Sequence, residues 1–280
     1  MSRISRLVVV GLGLIGGSVA RGVKARGLAA EVVGVGRDPV RLERARAAGA
    51  VDRATTDLAR GLRGADLVLL ATPVGSLPGL VREAWPHLEP GAVLTDAGSV
   101  KGEVVAAAGA CPARPETTFV GGHPLAGSEQ SGFAASRPDL FEDSLTILTP
   151  TAAAPAEAVA RVSALWLGLG SQVRLMSAEE HDRAVAAISH LPHLVAYALV
   201  GAAGEALPLA ARGFQDTTRI AASDEVLWAD IFRGNREAFL AALETFGALL
   251  ARWEALIRAG EWTALEAELA RLRELREKLG

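Results

Sequence analysis

The chain has 280 residues, of which 50% are hydrophobic and 22% charged, with 29 Lys and Arg against 32 Asp and Glu for a net charge of −3. That length and apolar content exclude a wholly disordered chain and allow one large domain or two modest ones, and the charge balance lacks the basic excess of a nucleic-acid binder. The one cysteine, Cys111, excludes an intrachain disulfide and a cysteine-rich zinc site, and it fits a reducing cytoplasm.

The N-terminal residues run directly into an apolar stretch, with no cleavable leader expected. Over residues 1–176, short apolar runs at 7–10, 32–35, 67–71, 92–95, 118–120, 145–148 and 173–175 alternate with helix-like stretches such as 40–48, 77–85 and 156–167. That alternation predicts an α/β domain with a mainly parallel sheet covered by helices on both faces.

The first run opens onto Gly11-Leu12-Gly13-Leu14-Ile15-Gly16, a G-x-G-x-x-G turn between a strand and a helix. Each glycine has a physical task there. Gly11 permits the tight turn, Gly13 lets the backbone approach a pyrophosphate, and Gly16 lets helix and strand pack closely. The free N–H groups of the helix start then face the phosphates. The second run ends at Gly36 and Arg37, where a carboxylate that bonds the adenosine ribose is usual. Without that carboxylate a 2′-phosphate is not repelled, and Arg37 offers it a partner. Asp38 remains able to serve the ribose. The cofactor expected is therefore NAD or NADP, with a lean to NADP. Thr72 and Pro73 follow the third run and either line the nicotinamide side or simply end a strand.

Two further segments sit at strand ends. One carries Ser99 and Lys101; the other is Gly121-Gly122-His123-Pro124 and its continuation to Glu129. A histidine titrates near neutral pH, so His123 is able to take a hydroxyl proton as hydride leaves the attached carbon. The alternative is a loop histidine that caps a turn.

After residue 176 the strand signal stops. Ser177 and Glu180 have capping-box spacing, and the remainder, 177–280, reads as helix broken near Pro208, Gly213 and Gly260, ending in leucines at 265, 269, 272, 275 and 279. Residues 184–204 contain no Asp, Glu, Lys or Arg. The segment is long enough for a bilayer, but it holds His190, Pro192 and His193, and it reads as a helix buried all round in a bundle or dimer. His190 and His193 share a helix face, but they lack the H-E-x-x-H form, and no metal site is expected. His181 precedes His190 by nine residues, half a turn around an α-helix, so these three should not cluster. In a polar stretch between helices, Arg219 offers a planar fork for a carboxylate, or else a salt bridge to Asp216 or Glu129. Trp228 is read as core.

Together the segments Gly11–Ser18, Asp96–Lys101, Gly121–Glu129, Ile188–His193 and Asp216–Ala221 resemble the prephenate/arogenate dehydrogenases of tyrosine biosynthesis. They lie in the family's order over nearly the whole chain. The resemblance implies a Rossmann-type dinucleotide-binding domain over 1–176, followed by an all-α dimerisation and substrate domain over 177–280. It implies oxidative decarboxylation of prephenate to 4-hydroxyphenylpyruvate, or of arogenate to tyrosine, by a cytoplasmic homodimer acting on a small molecule, with neither membrane nor nucleic acid involved. By motif it assigns His123, Ser99 and His190 to catalysis, and Arg219, His193, Glu129 and Trp228 to the substrate. Gln215 stands where the family often has arginine. Two other readings compete. One is a hydroxyacid dehydrogenase with a helical dimer domain, which usually needs a lysine that 184–204 lacks. The other is a non-catalytic dinucleotide sensor, which needs no Ser99, His123 and Arg219 around one pocket.

Overall fold

A computed structural model describes residues 4–114, 116–127 and 130–279. Eight strands form one sheet: β1 Ile4–Val10, β2 Ala29–Val35, β3 Arg53–Thr55, β4 Leu67–Leu70, β5 Val93–Asp96, β6 Thr118–Pro124, β7 Leu145–Pro150 and β8 Gln172–Leu175. Their order is β3-β2-β1-β4-β5-β6-β7-β8. The strands from β3 across to β6 are parallel; β7 then runs antiparallel to β6, with β8 parallel to β7. The edge strand β3 has no signature in the sequence, because three residues carry no alternation to read.

Alternate side chains of the central strands enter two separate cores, as a pleated strand requires. Leu7, Val9, Leu67 and Leu69 face one side, with α1 Leu14–Arg26, α2 Pro39–Ala47 and later Ala156–Gly168 packed there. Val8, Val10, Val68 and Leu70 face the other, against α3 Leu58–Leu62, α4 Leu77–Ala84 and α5 Gly102–Gly109. Ala156–Gly168 is α6. At ~1.5–3 kcal/mol for each fully buried aliphatic side chain, these two layers dominate the stability of the first half.

The second half is helical, as expected: α7 Ala178–Val185, α8 Leu191–Ala203, α9 Arg212–Thr218, α10 Glu225–Gly234, α11 Arg236–Ala259 and α12 Trp262–Glu277. The Ser177–Glu180 capping box is formed from both sides, and Gly260 closes α11 in a left-handed conformation at φ 70°. Gly213 does not interrupt the chain; it lies inside α9. Trp228 and Ile231 of α10 enter the second core beside Val74 and Leu77, which docks the helical half against the carboxyl end of β4.

The charge-free segment departs from its expected burial. Among the residues of α8 only Ala196 is buried, and Ile188 just before it is 68% exposed. Among the described residues, Ala178–Leu209 is long and apolar enough to cross a bilayer, but only 22% of its apolar window is buried. One chain does not supply enough helices to surround it. The α12 leucines are likewise open, Leu269 and Leu275 among them.

Candidate active site

The glycine turn at the end of β1 has the shape that a dinucleotide needs. Gly11 has φ +94°, and a Cβ there would sit 2.6 Å from the Ala71 carbonyl oxygen. A Cβ at Gly16 would stand 2.0 Å from the carbonyl oxygen of Gly11, whereas at Gly13 it would meet nothing within 4 Å. The turn is therefore packed tightly from behind and open in front. Gly13 is the N-cap of α1, no side chain caps the helix, and its first turn holds no acidic residue. The unpaired N–H groups of Leu14, Ile15 and Gly16 are left for an anion. Leu12 turns away, its side chain buried over Gly34. Thr72 and Pro73 follow β4 beside this turn: the Thr72 methyl would contact a Cβ at Gly11, and its hydroxyl lies 2.9 Å from Ser76 Oγ. These residues fit a dinucleotide by open space, free donors and a cradle that only glycine allows.

At the end of β2, Arg37 is exposed and forms no ion pair among the described residues. Asp38 is not free to serve a ribose. Its carboxylate caps α2 by accepting from the N–H groups of Val40 (2.9 Å) and Arg41 (3.2 Å), and it pairs with the Arg41 guanidinium.

His123 lies on a strand and not in a loop. β6 runs past the end of β5 to Pro124 because the antiparallel β7 continues its pairing, with His123 opposite Ile147. The preceding glycines serve close approach: a Cβ at Gly121 would lie 2.4 Å from Thr149 Oγ1, and one at Gly122 would lie 2.7 Å from the Asp96 carbonyl. Asp96 and Lys101, both fully buried, form an ion pair beneath this point. Lys101 Nζ also donates to the Gly122 carbonyl at 2.8 Å, and the Gly98 N–H donates to Asp96 at 2.8 Å. These bonds tie the end of β5 to β6 one residue before His123. Burial pushes the Lys101 ammonium pKa down, against the pull of Asp96 and Asp182. Ser99 sits half-buried in the same turn, and its hydroxyl makes no hydrogen bond among the described residues.

The helical half meets His123 directly. His123 Nδ1 lies 2.8 Å from His181 Nε2, and His181 Nδ1 lies 2.7 Å from Asp182 Oδ1. The Asp182 carboxylate also accepts the N–H groups of Lys101 at 2.9 Å and Gly102 at 2.7 Å, which open α5. Burial raises the Asp182 pKa, but the bonds from His181, Lys101 and Gly102 outweigh it and hold the carboxyl below its ordinary range. Burial first, then the neighbouring His181, Lys101 and His190, drive the His123 pKa well below the usual imidazole value.

His190 is buried, and burial lowers its pKa to about 4. Its Nδ1 lies 3.2 Å from Asn235 Nδ2, which also donates to the Asp182 backbone carbonyl at 2.8 Å. His193 donates from Nδ1 to the Ser189 carbonyl at 2.9 Å and stacks on Trp228, ring centroids 3.4 Å apart. Trp228 is core on one side, as expected, and on the other it supports the two histidines. The pKa of His193 is lowered by burial, against the Ser189 carbonyl that raises it, and further by the positive charge of Arg219. Arg219 is exposed and forms no salt bridge among the described residues; Asp216 pairs with Arg212 at 3.9 Å instead. Glu129 lies outside the described residues.

The spacing of the histidines therefore separates them correctly in one respect and incompletely in another. His181 does not cluster with His193, but it joins His123, and its field reaches His190. A π-helical turn over Ala186–His190 inserts an extra residue and changes the helical phase on which the spacing depends. The site residues that sequence reasoning missed are His181, Asp182 and Asn235. Adjacent His-Asp just after a capping box was the one local signal available.

The same two halves are found in known proteins. The family description "Prephenate dehydrogenase, nucleotide-binding domain" matches residues 19–175, and "Prephenate dehydrogenase, dimerization domain" matches residues 177–271. The chain is 37% identical over 286 residues to a cyclohexadienyl dehydrogenase of Zymomonas mobilis, covering 97% of both proteins. The crystal structure of Synechocystis arogenate dehydrogenase is 33% identical with a TM-score of 0.87, covering 98% of this chain and 100% of that one. The prephenate dehydrogenase of A. aeolicus, in complex with hydroxyphenyl propionate and NAD+, is 31% identical with a TM-score of 0.88, covering 100% and 99%.

Proposed function

The chain belongs to the prephenate dehydrogenase family, and from that premise we propose how its residues work: it is a nicotinamide-dependent dehydrogenase that oxidises and decarboxylates prephenate or arogenate. The observation that carries the residue assignment is the meeting of His123, from the sheet, with His181, His190 and Asn235, from the helices, in one chain of short polar contacts.

When bound, the oxidised nicotinamide supplies the hydride acceptor. The cyclohexadienol loses hydride from its carbinol carbon and carbon dioxide from the ring carbon opposite. The pair of electrons from the broken carbon–carboxylate bond enters the ring and makes it aromatic, so the protein needs neither a metal nor a covalent nucleophile. His123 Nε2 accepts the hydroxyl proton as the hydride departs, and returns it as the ring oxygen becomes a phenol. Ser99 holds that hydroxyl from the β5–α5 turn. His190 flanks the ring, while Arg219, beside His193, grips the side-chain carboxylate. His193 and Trp228 wall the pocket, and Glu129 belongs to its entrance by motif alone. Orientation supplies much of the acceleration, because the reacting groups are held before the reaction begins.

The division between cofactor and substrate units falls near residue 176. NADP is favoured over NAD by the free guanidinium of Arg37 and by the commitment of Asp38 to the α2 cap. A cytoplasmic homodimer, joined through the helical half, completes the reading. The test is a two-by-two assay of prephenate and arogenate with NAD+ and NADP+, followed by nicotinamide absorbance. Turnover with at least one pair, and tighter binding of NADP+, are expected. No turnover with any pair defeats the reaction, and tighter binding of NAD+ defeats the role given to Arg37.

A further inference from the structure

We infer that the buried Asp182–His181 pair is a positioning device that sets the tautomer of His123, so that Nε2 reaches the substrate hydroxyl without a proton. The inference rests on His123 acting at that hydroxyl, and it adds His181 and Asp182, which lie outside every motif of the sequence.

The assignment follows from donors that have no choice. Backbone N–H groups only donate, and Lys101 N–H and Gly102 N–H occupy Asp182 Oδ1 and Oδ2. The group is therefore a carboxylate, and a carboxylate only accepts. His181 Nδ1, 2.7 Å from Oδ1, must carry the hydrogen. With that one hydrogen on the ring, His181 presents a lone pair at Nε2, which accepts. His123 Nδ1, 2.8 Å from it, must donate. Neutral His123 thus has its hydrogen on Nδ1 and a lone pair on Nε2, the protonation state of a base. The same reasoning applies to His190. Asn235 Nδ2 donates to its Nδ1, so Nε2–H is left as a donor. One ring arrives as an acceptor and the other as a donor, and Asn235 ties the second to Asp182 through the backbone carbonyl.

The surroundings make the device necessary. Burial and the nearby positive and imidazole groups keep His123 neutral near physiological pH, so nothing but its partner decides between two tautomers of similar energy. The ionisable groups facing the pair are Lys101 from the β5–α5 turn, with Asp96 behind it, and His190 from the π-helical turn. Asp182 is the anion that lies in line with His181, and it also stabilises the positive charge His123 gains when it takes a proton. His181 itself is fully buried, with the two rings edge to face at 5.1 Å between centroids. Both of its ring nitrogens are taken, by His123 and by Asp182, so its effect passes through His123.

The experiment uses the full-length enzyme with 15N-labelled histidine. In the unsubstituted protein, His123 Nδ1 should show the signal of a protonated nitrogen and Nε2 that of a bare one. Asp182→Ala removes the acceptor that fixes the hydrogen on His181 Nδ1, so the two tautomers of the pair should become comparable and the two His123 signals should move towards each other. Its kcat should fall by ~10²-fold or more while KM and NAD(P)+ affinity stay within about 2-fold, as expected for a misplaced base. Its acid limb in the pH profile should move to lower pH, because the imidazolium loses its anion; a purely structural lesion lowers the profile without moving it. Because Asp182→Ala also loosens the start of α5, His181→Gln and His181→Leu form a second pair. The glutamine oxygen still accepts from His123 Nδ1, so Gln should retain far more of the kcat than Leu. Equal turnover in Gln and Leu, or an unchanged His123 tautomer in Asp182→Ala, overturns the inference. If His123→Asn itself keeps full turnover, it is the assignment of His123 as the base that fails, and the tautomer signals still report on the pair.

Discussion

His190 is the residue whose burial has the most direct thermodynamic consequence. It is 1% exposed, and its pKa stands at about 4 against an ordinary value of 6.5. Between those values the unfolded chain binds a proton that the folded chain refuses. The contribution to stability is therefore complete above pH 6.5 and drains away as the pH falls towards 4. His123 and His193, lowered by burial as well, act in the same direction. From His190 alone the loss by pH 5 is on the order of 2 kcal/mol. Urea unfolding at pH 7 and pH 5 should show that decrease, with a shallower dependence in His190→Gln. Equal stability at the two pH values would mean that His190 is charged or solvated in the folded protein. The burial that makes these rings neutral and useful as acceptors and donors is thus also a source of acid lability.

At the scale of elements, the β1–α1 turn separates two uses of glycine that the motif alone merges. A Cβ at Gly16 would stand 2.0 Å from backbone that cannot yield, while one at Gly13 would enter open space. Gly16→Ala should therefore destabilise the fold by ~1–3 kcal/mol or more, read as a lower melting temperature. Gly13→Ala should leave melting nearly unchanged and weaken NAD(P)+ binding by roughly tenfold, about 1.4 kcal/mol, measured by calorimetry. An unaffected affinity for Gly13→Ala would remove the phosphates from that spot. The turn was legible in the sequence because its physics is local: strand, glycines and helix follow one another. The apolar strands and the Ser177 capping box were legible for the same reason. The extension of β6 was not, because only pairing with β7, more than twenty residues on, keeps His123 in a strand. The contact of His181 with His123 spans 58 residues and depends on how α7 docks beneath α5. The π-helical turn that ends at His190 has no sequence pattern of its own, and the 3.6-residue period gave the wrong phase across it.

At the scale of the whole molecule, the helical half has more apolar surface than one chain can cover. Leu199 of α8 and Leu240 and Leu250 of α11 are each more than a third exposed, as is Ile188 before α8. The charge-free run that includes α8 has no charged face to turn to water, so a helix that the sequence marks for burial stays half open. A second copy of the same surface removes the contradiction, since a two-fold contact sets each apolar patch against its own counterpart. This agrees with the family description of the region as a dimerization domain. The protein should therefore sediment at twice its 29.0 kDa chain mass. Leu199→Glu and Leu250→Glu together should shift it towards the single chain, because each carboxylate would need water that the interface excludes. Dissociation should affect the two ligands unequally. The glycine turn assigned to the dinucleotide lies between β1 and α1, away from α8 and α11, so cofactor binding should survive it. Arg219 lies in the turn between α9 and α10, held against α8 by the Tyr197 hydroxyl donating to the Ser223 carbonyl at 2.8 Å. Loosening α8 should therefore raise KM for the carboxylate substrate before it alters affinity for the dinucleotide. A wild-type protein that sediments as one chain, or a dissociated variant with unchanged KM, would separate the apolar face from the catalytic site.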